Sequence, residues 1–156
     1  MRSPVLPAFL LGSAALMLGA AAAPAASGDV DTTVAFELDH WFDFGATSGP
    51  VTLHRARIVR QTGAFTKSTF FRPGNNEFLA TVQIQIEYSN SEKRDWKAHL
   101  DLVWLDGDGK PIDGYKGSEG LDGEKSHEKV TVTLSTLEYG LGRAKKLKIG
   151  ISSEPD

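Results

Sequence analysis

Phe78-Leu-Ala-Thr-Val-Gln-Ile-Gln-Ile-Glu-Tyr-Ser-Asn90, then Ser91-Glu-Lys-Arg-Asp95, then Trp96-Lys-Ala-His-Leu-Asp-Leu-Val-Trp-Leu-Asp106, is the stretch that decides the fold. In the first run Phe78, Ala80, Val82, Ile84, Ile86 and Tyr88 share one phase of a two-residue period. Leu79, Thr81, Gln83, Gln85, Glu87 and Ser89 share the other. Side chains alternate across a strand, so this pattern makes one apolar face and one mostly polar face. The second run repeats it, with Trp96, Ala98, Leu100, Leu102 and Trp104 in one phase and Lys97, His99, Asp101 and Val103 in the other. Two strands joined by a polar turn follow, forming an antiparallel pair that covers a core on one side and meets water on the other. A lone hairpin is marginal in water. A second sheet must cover Ile84, Ile86, Leu100 and Trp104.

Working outward, Val51 to Arg60 reads as a strand whose phase slips. Val51 and Leu53 share one parity, Ala56 and Ile58 the other. A β-bulge near His54-Arg55 reconciles them; the other reading buries part of the opposite face and requires partners for Arg55 and Arg57. Thr33 to Asp39 alternates through Val34, Phe36 and Leu38 and predicts a first strand. Gly45 to Pro50 reads as a loop by its turn residues. Asp108-Gly109 predicts a tight turn, because Gly accepts a positive φ. Asp113 to Lys125, rich in Gly and acidic residues, reads as a further loop. Glu128 to Thr136 and Arg143 to Ser153 read as strands, separated by a turn over Leu137 to Gly142. The end of the chain, Glu154-Pro-Asp156, reads as loose. Beyond the leader there is no amphipathic helical pattern. About seven strands with turns between them indicate an all-β, antiparallel, immunoglobulin-like β-sandwich.

Of the 156 residues, the first 25 have the form of a cleavable secretory signal peptide: Arg2, an apolar run from Phe9 through Ala23, and small residues at Ala23-Pro24-Ala25. Residues 26–156 then form one domain, secreted or periplasmic, with no membrane insertion after cleavage. An uncleaved anchor is the alternative, though a membrane span needs roughly 20 apolar residues. The chain has no Cys. Disulfides, thiol catalysis and zinc–thiolate sites are thereby excluded, and stability must come from packing. The formal charge of −3 gives no electrostatic case for nucleic acid.

The region from about Phe78 to Ile151 resembles the small extracytoplasmic β-sandwich modules called FxLYD-type domains. The resemblance rests on Leu102-Val-Trp-Leu-Asp106 with the turn Gly107-Asp-Gly-Lys-Pro-Ile112, on Gly120-Leu-Asp-Gly-Glu124, and on the strand from Glu128 to Leu134. Leu102, Trp104 and Leu105 stand where the family has Phe, Leu and Tyr; Asp106 is shared. The resemblance implies a fold and carries over no catalytic residue.

Two stretches are candidate ligand-binding sites. In the first, Asp39 to Phe44, Trp41 offers a stacking platform for a sugar or peptide, with Asp39, His40 and Asp43 as polar contacts and Phe42 beside it. The alternative makes these residues a strand end that closes the core. In the second, Phe65, Phe70, Phe71 and Arg72 sit on a long connection suited to recognition; the alternative tucks the three rings under the loop. Asp106, Asp108, Asp113, Asp122 and Glu124 have the oxygen ligands that Ca²⁺ uses, but Lys110 breaks the EF-hand pattern and the closing Glu is missing. His40, His54, His99 and His127 show no metal-ligand spacing, and no nucleophile or phosphate-binding motif is present. His99 and Asp101 share an outward face and are free to meet there. The expectation is a monomeric, non-enzymatic binding or interaction module with no cofactor and no metal, engaging a protein, peptide or glycan. The competing expectations are a small secreted hydrolase or metal-dependent enzyme, and a structural subunit of an envelope assembly.

Overall fold

A computed structural model of the chain describes residues 29–62 and 78–156. The expected signal peptide and the candidate site at Phe65, Phe70, Phe71 and Arg72 lie outside the described residues. The strands are β1 Val30–Ala35, β2 Phe42–Ser48, β3 Val51–Arg60, β4 Leu79–Asn90, β5 Trp96–Leu105, β6 Pro111–Leu121, β7 Lys125–Leu137 and β8 Lys146–Pro155, with a short helix α1 Glu138–Arg143 before β8. Two antiparallel sheets form, in the orders β1-β8-β5-β6 and β2-β3-β4-β7. The expected hairpin is corrected: the polar turn Ser91–Asp95 carries the chain from one sheet to the other, so the two decisive strands do not pair but lie in different layers, Ile84 and Ile86 in one and Leu100 and Trp104 in the other.

Most of the core is what the alternation selects, but Phe78, expected in that phase, is exposed, and Ala46, Leu121 and Leu141 join the core from stretches read as loops and a turn. Ile84 and Ile86 on β4, Leu100 and Trp104 on β5, and Leu147, Ile149 and Ile151 on β8 are all buried. Burying each aliphatic side chain contributes about 1.5–3 kcal/mol. Trp104 also ties the layers together. Its indole N–H donates to Thr136 Oγ1 at 3.2 Å, and that hydroxyl donates in turn to Asp113 on β6. A buried indole N–H left without a partner would cost stability, and Thr136 on β7 satisfies it.

Five local expectations are corrected. Gly45–Ser48 belongs to β2. Asp113 to Leu121 belongs to β6, whose Gly114 meets the β5 backbone so closely that a Cβ there would lie 2.3 Å from the Leu102 carbonyl oxygen. The glycines that read as a loop thus allow a close strand pairing. The predicted first strand breaks after Ala35: Leu38 bridges to Ile58 in the other sheet, and Asp39 turns the chain at φ 61°. Leu137 to Gly142, read as a turn, runs into α1. The C-terminus is held as well. β8 continues to Pro155, the Asp156 N–H donates to the Asp95 carbonyl, and Lys97 pairs with the Asp156 carboxylate.

Candidate functional site

The bulge expected near His54-Arg55 is present: the β3–β4 register shifts between Leu53 and Arg55. It returns Val51, Leu53, Ala56 and Ile58 to the interior and turns Arg55 and Arg57 outward. A second shift lies on the other side of β4, where Tyr88 pairs with Glu128 but Asn90 with Lys125. His127 sits in that bulge with φ 51°, a left-handed conformation that His adopts more readily than most residues. Two irregular strands therefore flank one regular one, and each brings a histidine towards Ser89.

The result is a polar cluster on the outer face of the β2-β3-β4-β7 sheet. His54 Nε2 and Ser89 Oγ are 2.8 Å apart, and the His127 backbone N–H donates to the same oxygen at 3.0 Å. The two imidazoles stack, with centroids 4.2 Å apart and planes 12° from parallel. Glu87, two residues along β4, is buried and accepts from Arg55 Nε and a terminal nitrogen of Arg55 at 3.1 and 2.8 Å. Its other oxygen lies 2.9 Å from His127 Nδ1. The bonds from His127 and then from Arg55 hold the Glu87 carboxyl below its ordinary value. Burial holds the His54 imidazole below its ordinary value, and the neighbouring His127 adds to the effect.

This face continues to Trp41, which is neither a free platform nor a core residue. The partly buried indole lies under cations: the guanidinium carbons of Arg55 and Arg57 are 4.5 and 4.4 Å from its ring centroid, and Lys129 Nζ is 5.7 Å away. Arg57 Nε donates to Gln85, Gln85 to Gln83, and Gln83 to Thr133, a chain of side-chain hydrogen bonds across three strands. The residues on either side of Trp41 divide. Asp43 stands opposite Arg55 in the register and bounds the patch. Phe42 and Phe44 pack against the core, as the alternative reading has it. His40 packs edge-on against Phe42 and lies 3.8 Å from Glu37, apart from the patch.

The outward phase of β4 already displayed Glu87 and Ser89, and the parity slip marked His54. Nothing marked His127, whose bulge leaves the alternation from Glu128 to Leu134 undisturbed.

On the other sheet, an open groove of about 520 Å³ lies over Gly150, with Asp31 and Asp101 on either side of it in the register. His99 and Asp101, free to pair by sequence, take other partners: His99 meets Glu154 at 2.8 Å, and Asp101 meets Lys116 at 3.7 Å. Among the acidic turn residues, Asp106 accepts the backbone N–H groups of Asp108 and Lys110 at 2.9 and 2.8 Å, and Asp113 accepts from Thr136. Those carboxylates are engaged in holding turns and strands. Among the described residues no group of three or more His, Asp or Glu side chains is placed to hold a metal ion.

Fold and site together define an all-β sandwich that displays a cationic, aromatic and amide-rich sheet face. No protein-family model matches the chain, and no curated protein matches it. Among solved structures it is similar to a DUF1425 family member from Shewanella sp. pv-4, at 11% identity and a TM-score of 0.31, over 72% of this chain and 94% of that one.

Proposed function

We propose that the protein is an exported, monomeric, non-enzymatic binding module of the FxLYD-like kind, acting in the periplasm or outside the cell. Its binding surface is the outer face of the β2-β3-β4-β7 sheet, and the partner is a protein, peptide or glycan. The observation that carries this reading is Trp41, with Arg55, Arg57 and Lys129 gathered on its ring in the middle of a flat sheet face. Trp and Arg are the residues on which binding energy most often concentrates, because they combine large contact area with directed polar groups. Gln83 and Gln85 add donors and acceptors to the same plane.

A hydrolytic reading has one observation in its favour, the 2.8 Å contact of Ser89 with His54. A serine nucleophile works when a third group orients the histidine that activates it. Here the carboxylate of Glu87 is bonded to the other ring, His127, so the arrangement supports a structural role for Ser89.

The test is retention of the mature chain on immobilised native envelope fractions, comparing the wild type with Trp41→Ala and Arg57→Ala. Both variants should keep the wild-type circular dichroism spectrum and lose retention. Equal retention of all three proteins would remove this face from the account.

A further inference from the structure

Resting on that reading, we infer that the face binds a carboxylate-bearing polysaccharide, with Arg57 and Lys129 as the residues that receive its acid groups. Three cations lie within 5.7 Å of one indole centroid. Arg55 is neutralised by Glu87 at 2.8 Å. Arg57 and Lys129 have no carboxylate within ion-pair distance among the described residues. The side-chain hydrogen bond of Arg57 goes from Nε to a neutral amide, Gln85. That bond holds one edge of the guanidinium, and among the described residues its two terminal amino groups have no side-chain hydrogen-bond partner. A guanidinium held in this way is organised for two parallel bonds to a carboxylate.

Like charges gathered over one ring repel each other, and stacking on Trp41 offsets only part of that cost. An anion placed between Arg57 and Lys129 relieves it. The rest of the surface limits what the anion belongs to. The net charge of −3 disfavours a polymer as densely charged as nucleic acid and leaves the local cations Arg57 and Lys129 to select the ligand. β3 and β4 lie inside the sheet with strands on both sides, so their backbone cannot accept an added peptide strand. Recognition over those two strands uses side chains. An indole, a guanidinium and two side-chain amides on one face match the ring faces, hydroxyls and carboxylates of an acidic sugar.

The probe is oligogalacturonate, titrated into the mature chain by calorimetry beside its methyl ester, which keeps the sugar and removes the charge. The acid form should bind and the ester should bind at least tenfold more weakly. Arg57→Ala should cost about tenfold, the scale of a hydrogen bond to a charged group. Arg57→Lys should recover only part of the loss, because it restores charge without the fork. Added salt should weaken the acid form alone. Equal binding of acid and ester, absence of binding to the acid by the folded wild type, or tighter binding of poly-L-glutamate would each overturn the inference; none of these touches the reading of the face as a binding surface. If oligogalacturonate binds but Trp41→Ala, Arg57→Ala and Lys129→Ala leave its affinity unchanged, the face itself is misassigned and the proposed function fails with it.

Discussion

His54 and His127 stack 4.2 Å apart across β4, although one belongs to β3 and the other to β7. The contact exists because a bulge on each side of β4 turns a histidine towards Ser89. Two protonated imidazoles at that separation repel each other. His54, which burial already holds below its ordinary value of 6.5, then becomes the weak point in acid.

The sign follows from linkage. The unfolded chain protonates His54 at a higher pH than the native chain does. Stability from this ring is therefore present above about pH 6.5 and is lost as pH falls through its native value. Thermal unfolding followed by circular dichroism should show Tm falling by a few degrees between about pH 7.5 and about pH 5.5. His54→Gln, which retains a partner for Ser89, should flatten that slope; an unchanged slope in the variant would assign the acid sensitivity elsewhere. Glu87 adds a second limb lower down. Its lowered carboxyl contributes stability above its ordinary value of 4.5, and that contribution is lost as pH falls through its native value.

The Arg55–Glu87 pair should respond unequally to removal of its two members. The Glu87 side chain is 7% exposed and that of Arg55 37%. Arg55→Ala leaves a buried carboxylate with His127 as its remaining side-chain partner and should cost about 2–3 kcal/mol. Glu87→Gln leaves an arginine that water can reach and should cost about 1 kcal/mol. Urea denaturation of both variants checks the order, and a larger loss for Glu87→Gln would contradict the burial argument.

Gly114 and Gly120 should differ although both lie in β6. A Cβ at Gly114 meets the Leu102 carbonyl oxygen at 2.3 Å, whereas one at Gly120 meets nothing within 4 Å. Gly114→Ala should therefore destabilise by about 1–3 kcal/mol. Gly120→Ala should be neutral or stabilise by about 0.5 kcal/mol through the unfolded state. Comparable urea midpoints for the two variants would mean that β6 does not approach β5 so closely.

The parts of the fold that could be read from the sequence are those where burial is one-sided. Ala80 to Tyr88, Trp96 to Trp104 and Leu147 to Ile151 each bury the phase their alternation selects. β6 was illegible because its glycines serve a backbone contact, and glycine in sequence signals a turn just as strongly. The break in the first strand was illegible because Val34, Phe36 and Leu38 all pack on the one core, and a core has no label saying which sheet covers it. Trp41 could be singled out as a platform candidate. Its covering by Arg55, Arg57 and Lys129 depends on strand order, which no local pattern encodes.

The account stands on the outer face of the β2-β3-β4-β7 sheet being where the partner lands. The most direct measurement is amide chemical-shift mapping of the isotope-labelled protein on adding solubilised envelope, the proposed source of the partner. Shifts should gather at Trp41, Arg57, Gln85 and Lys129 and leave the Gly150 groove unmoved. A map centred on Asp31, Asp101 and Gly150 instead would contradict the account.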